Sequence, residues 1–127
     1  MENLFIEATR STPHIHFDGT TLVLEIKGES YPENSAKFYG PVFDWVKAIL
    51  EAGEQPIVLN LELVYFNSST SKILFNLFDT FDKAAEHGRE VTINWRYVEE
   101  NEMAQECGEE FQNEVVSARF NLVSIPG

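Results

Sequence analysis

No stretch of the 127-residue chain constrains its fold more than Ile57 to Tyr65, where Ile57, Leu59, Leu61, Leu63 and Tyr65 alternate with Val58, Asn60, Glu62 and Val64. A period of two sends one set of side chains to each face of a β-strand. The run enters the loop Asn67-Ser68-Ser69-Thr70-Ser71, after which Ile73, Leu74, Leu77, Phe78, Phe81 and Ala85 recur at helical spacing as far as His87-Gly88. A strand that feeds a helix through a short polar connection is half of a parallel crossover.

The same alternation of signals appears on either side. Leu22, Leu24 and Ile26 predict a strand that closes at Gly28, and His14 to Phe17 precede it across Asp18-Gly19-Thr20, which predicts a hairpin. Between Asn34 and Gly53 the set Tyr39, Val42, Val46, Ile49 and Leu50 predicts a helix, with Gly53 suited to cap its end. Pro41 lacks an N–H, so regular helix is expected to begin near it or to kink there. Val91, Ile93, Trp95 and Tyr97 predict another strand; Met103, Cys107 and Phe111 a third amphipathic helix; Phe120, Leu122 and Ile125 a short last strand. Helices placed between sheet strands predict an α/β fold with a mixed, mostly parallel sheet. Strands that alternate, rather than reading continuously apolar, predict helices mainly on one face. No repeat, linker or low-complexity segment divides the chain, so residues 1–127 are expected to form a single domain.

Charge then narrows the function. Nine Lys and Arg against 21 Asp and Glu leave a net charge of −12, which lacks the basic footprint of a nucleic-acid binder and disfavours anionic membranes. Half of that excess, a net −6, lies in residues 99–127, where Glu99, Glu102, Glu106, Glu109 and Glu110 are expected on one arc of the third helix. Like charges at this spacing oppose helix formation slightly, and the arc is a solvated face or a steering surface for a basic partner. Cys107 is the only cysteine, which excludes an intrachain disulfide and a Cys-pair zinc site, and it is expected in the core. The N-terminus has neither the basic nor the apolar region of a signal peptide, and no apolar run is long enough for a membrane span, so a cytoplasmic protein without membrane insertion is expected.

Several constellations carry candidate chemistry. Ser68, Ser69, Thr70 and Ser71 follow Asn67 at a helix start, where one oxygen suffices as a cap and where a phosphoryl group is well tolerated by free N–H donors and the positive dipole end. The loop has no G-x-S-x-G elbow, and the chain has no P-loop and no G-x-G-x-x-G, so neither a serine hydrolase nor a glycine-rich nucleotide site is supported and no cofactor is expected. His14 and His16 share a strand face and, with Asp18 or Glu25, define the rival reading of a small metal-dependent or carboxylate-based hydrolase or lyase. A constitutive interaction domain is a third reading. Ser30 and Glu33 have capping-box spacing, Asn34 or Ser35 is an alternative cap, and Tyr31-Pro32 is a candidate contact surface.

Taken together these residues resemble a known family. The strand, turn and helix Leu61–Phe78, with Asn67-Ser68-Ser69 at the turn, resemble the phosphoacceptor region of STAS-domain anti-sigma-factor antagonists. Gly28-Glu29-Ser30-Tyr31-Pro32-Glu33-Asn34-Ser35, Asp44-Trp45-Val46, Tyr65-Phe66-Asn67-Ser68-Ser69, Trp95-Arg96-Tyr97, Asn101-Glu102 and Glu109-Glu110-Phe111 resemble the SiaC family of bacterial regulatory phosphoproteins, over nearly the whole chain. The resemblance implies a STAS-like domain with no catalysis of its own, switched by one Ser/Thr phosphorylation. It implies a GHKL-type kinase that adds the phosphate, a PP2C-type phosphatase that removes it, and a diguanylate cyclase bound and activated by the unphosphorylated form. It also implies Ser68 as acceptor, with Ser69 and Thr70 as alternatives, and Asn67, Ser69, Thr70, Tyr31, Pro32, Glu33 and Asn34 as partner contacts. Asn67 stands where the antagonists carry Asp, and the glycines of their loop are absent.

Overall fold

The computed structural model describes residues 1–127. In chain order the elements are β1 (Leu4–Ile6), β2 (His14–Phe17), β3 (Val23–Ser30), α1 (Ser35–Ala52), β4 (Ile57–Phe66), α2 (Ser68–Glu86), β5 (Val91–Val98), α3 (Glu102–Glu114) and β6 (Arg119–Ile125). They build one six-stranded sheet in the order β1-β2-β3-β4-β5-β6, antiparallel over the first three strands and parallel from β3 to β6. Each helix thus joins neighbouring parallel strands, and right-handed crossovers that always step in one direction put every helix on the same side. That is the mixed, mostly parallel α/β arrangement expected.

The register shows the consequence. Leu24, Leu59, Ile93 and Phe120 lie in line beneath the helices and are buried. The next row, Glu25, Asn60, Asn94 and Asn121, faces away and stays partly exposed. Its amides form a ladder, with Asn121 Nδ2 donating to Asn94 Oδ1 at 3.0 Å and Asn94 Nδ2 to Asn60 Oδ1 at 2.9 Å. The core on the helix side holds 25 apolar residues, with Trp95 at a crossing of aromatic edges from Phe66, Phe78 and Phe111.

Several expectations needed correction. β1 was not anticipated; three residues are too few to show a period, and only pairing with β2 makes them a strand. α1 begins six positions before Pro41 and passes through it, with the proline exposed on the helix surface. Gly53 follows α1 with φ 178°, which is extended backbone and makes no use of glycine's freedom. The carbonyls there are taken instead by buried Arg89, whose Nη1 donates to Gly53 O and whose Nε donates to Gln55 O at 2.6 Å. Tyr65 is exposed rather than inward: the pairing slips between Gly28 and Glu29, skipping Val64, and the bulge turns Phe66 into the core in its place. Gly28 accommodates this slip with φ +125°. Glu99 precedes α3, so it is not on the helical arc, and Cys107 is only half-buried, its thiol pushed up by burial and by Glu110 and Glu106.

Candidate functional site

β3 and β4 are parallel neighbours, so the turns that leave their carboxyl ends, and the helices that follow, meet at one edge of the molecule. The β4–α2 turn needs only Asn67. Its side-chain oxygen accepts the Thr70 N–H at 3.0 Å, while its carbonyl takes the Ser71 N–H at 3.0 Å. Helix therefore starts at Ser68, and Ser68–Ser71 form its first turn rather than a loop. The N–H groups of Ser68 and Ser69 remain among the free donors of this helix end.

The four hydroxyls have different fates, that of Ser71 being half-buried on the helix without a side-chain hydrogen bond. Thr70 is fully buried, and its Oγ1 donates to the Ser30 carbonyl at 3.0 Å. A hydroxyl has one proton, so across the 2.9 Å contact with Thr70 it is Ser30 that donates, and across the 2.7 Å contact with Ser30 it is Tyr39 that donates. The result is a relay from Tyr39 Oη to Ser30 Oγ to Thr70 Oγ1 to the Ser30 carbonyl, entirely out of water; burial pushes the Tyr39 phenol up to about 12. By the same logic Ser69 donates to Asn67 Oδ1 at 3.0 Å and accepts from Ser35 Oγ at 2.7 Å. These bonds clasp the starts of α1 and α2 together. Ser68 is exposed and its hydroxyl is bonded to nothing in the chain.

The Gly28–Ser35 segment lies beside this turn. Asn34 caps α1 by accepting the Lys37 N–H at 3.1 Å, so Ser30 is not part of a capping box; it is a buried strut under the β4–α2 turn. Glu33 and Asn34 are exposed, Tyr31 is half-buried edge-on to Tyr65 at 5.7 Å, and Pro32 is buried and presents no surface. Sequence reasoning missed Ser30 and Tyr39 as supports of the site. The available signal was a hydroxyl at the end of a strand and a phenol on a helical core stripe, each needing a buried partner.

The histidines of the rival reading stand elsewhere, on the uncovered sheet face. His14 Nε2 lies 3.2 Å from Glu25 Oε1 and its ring meets His16 and Phe5 edge-on. Asp18 is turned away to accept the Thr20 and Thr21 N–H groups at 2.8 and 3.0 Å, and those bonds hold its carboxyl below the usual range. No three His, Cys, Asp or Glu side chains converge as a metal site. No helix is long and apolar enough to cross a membrane.

Comparison with known proteins identifies the family. Residues 6–125 match the SiaC family of regulatory phosphoproteins. The chain is 40% identical over 114 residues to an uncharacterized protein of Pseudomonas aeruginosa (strain UCBPP-PA14), covering 90% of each. Among solved structures it resembles apo-SiaC from Pseudomonas aeruginosa, with a TM-score of 0.85, 35% identity and 98% of each chain covered. It also resembles a chain in the crystal structure of the diguanylate cyclase SiaD in complex with its activator SiaC from the same organism, with a TM-score of 0.91 and 38% identity over 96% of this chain and 99% of that one. The protein therefore belongs to the SiaC family of regulatory phosphoproteins, which makes it a regulator rather than an enzyme.

Proposed function

We propose that this protein is a partner switch controlled by reversible phosphorylation of Ser68. The observation that carries the reading is the division of labour in the first turn of α2: Ser69 ties it to the start of α1, Thr70 ties it to the end of β3, Ser71 is half-buried, and only Ser68 is both exposed and unengaged. A phosphate there adds about −1.5 to −2 charge at a helix N-terminus, beside free N–H donors that tolerate it, so the fold persists while the docking surface changes. Asn67, Tyr31, Glu33 and Asn34 border that surface. In the family to which the chain belongs, the resemblance implies a GHKL-type kinase and a PP2C-type phosphatase as the opposing enzymes. Likeness to the activator of a diguanylate cyclase supports such a cyclase as the target of the unphosphorylated form, and so a cytoplasmic role in cyclic-di-GMP signalling and biofilm control.

Phosphopeptide mapping after co-expression with the kinase tests the acceptor. Ser68→Ala is expected to abolish incorporation while the protein still pulls down the cyclase, and Ser68→Asp to weaken that capture. Label on Ser69 or elsewhere overturns the assignment, and equal capture by both variants points to a constitutive interaction domain.

A further inference from the structure

We infer that the groove between α2 and the C-terminal half of α3 is a second docking surface, and that it takes a basic amphipathic helix of a partner protein. Its floor is aromatic. Phe75 is 44% exposed although it lies on a helix packed against the sheet, and Phe78, Phe111 and Val115 continue the apolar strip beneath it. The cleft over Ser71, Phe75 and Phe111 encloses about 420 Å³. An open trough between two helices, with apolar positions spaced along it, is the shape that receives a third helix.

The rim says what kind. Glu110 and Glu114 line the groove from α3 and Asp79 from α2, against one base, Lys72. Asp79 is paired with Lys83 at 3.1 Å, but the ion pairs of the molecule, His14–Glu25, Lys27–Glu62 and Lys83–Asp79, leave every glutamate of α3 without a cationic partner. Glu110 and Glu114 are also one turn apart and at the end of the helix, where the dipole disfavours negative charge. Acidity that costs stability and has no internal counter-charge, placed around exposed aromatic surface, complements Lys and Arg flanking an apolar stripe. Phe75 is two turns along α2 from Ser68, roughly 10 Å by helix rise and slightly beyond the Debye length of about 8 Å, and Glu110 and Glu114 stand on the other helix; only the near rim, Ser71 and Lys72, lies within a turn of Ser68, so a charge there acts weakly on this surface.

The test uses the full chain and two fluorescent helical peptides of about 18 residues, one with a Leu face and a Lys face and one with Glu replacing Lys. The Leu/Lys peptide is expected to bind and the Leu/Glu peptide not to. Phe75→Ala and the double variant Glu110→Gln/Glu114→Gln should each weaken binding by about tenfold or more with unchanged far-UV circular dichroism. Ser68→Asp should change it less than about twofold, which separates this outcome from failure of the phosphoacceptor reading. Amide NMR shifts should cluster on residues 71–79 and 107–115. Absence of binding, insensitivity to Phe75→Ala, or shifts on the uncovered sheet face overturn the inference; so does sedimentation as a dimer that Phe75→Ala dissolves, which would make a second copy the occupant.

Discussion

The buried relay beneath Ser68 makes a quantitative prediction. Ser30→Ala removes the acceptor of Tyr39 Oη and the donor to Thr70 Oγ1. Thr70 keeps its bond to the Ser30 carbonyl, but the Tyr39 hydroxyl has no other partner and no water. Two hydrogen bonds of about 1 kcal/mol each, plus part of the 1–3 kcal/mol for an orphaned buried donor, give about 2–3 kcal/mol. Tyr39→Phe alone removes the donor and leaves Ser30 bonded to Thr70, for about 1 kcal/mol. With Phe at 39 there is nothing to orphan, so the double variant should cost only about 2 kcal/mol, less than the sum of the singles by about 1–2 kcal/mol. Urea denaturation followed by Trp45 and Trp95 fluorescence measures all four corners of the cycle; in thermal melts each kcal/mol corresponds to about 3–6 °C for a chain of this size. Additive singles, or a Ser30→Ala protein within about 0.5 kcal/mol of the parent, would refute the relay.

Three further outcomes follow from the same structure. Because burial raises the folded-state phenol of Tyr39 to about 12 from an unfolded value near 10, its contribution is complete below about pH 10 and is lost as pH rises toward 12; Tyr39→Phe should flatten that part of the alkaline denaturation curve. Burial pushes the Asp82 carboxyl up, but N–H donors from Ala118, Val116 and Ser117 outweigh it and hold the group below its usual range. Asp82→Ala should cost about 2 kcal/mol at neutral pH, and the gap from the parent should close as pH falls below about 4, measured by urea unfolding at several pH values. Gly108→Ala, normally worth about 1 kcal/mol to a helix, should here destabilise by about 1–3 kcal/mol, since a β-carbon would come within 2.5 Å of Trp95 Cδ1 and 2.8 Å of Leu122 Cδ2; equal or higher stability in urea would contradict that packing.

Elements whose signals are local were legible in advance. Ile57 to Leu63 carry their own period and Asn67 its own cap, so the strand, the turn and the helix that present Ser68 could be placed from the chain alone. Tyr65 could not, because its orientation depends on a pairing slip against Gly28 and Glu29, far away in sequence. The chain leaves Ser30, Asn34 and Ser35 open as caps for a related reason: spacing to Glu33 is visible along it, and the hydrogen bond from Ser30 to Thr70, 40 residues away, is not.

What the sequence determined by itself was the succession of strands and helices, the hydroxyl-rich helix start and the concentration of negative charge near the end, all set by side-chain periodicity and composition. Only the tertiary structure ranked the hydroxyls. Ser68, Ser69 and Thr70 are adjacent and chemically alike, and what distinguishes them is whether Ser30 and Ser35, brought in by a neighbouring parallel strand and its helix, consume their hydrogen-bonding capacity. That depends on which elements become neighbours, a property of packing that no local pattern encodes.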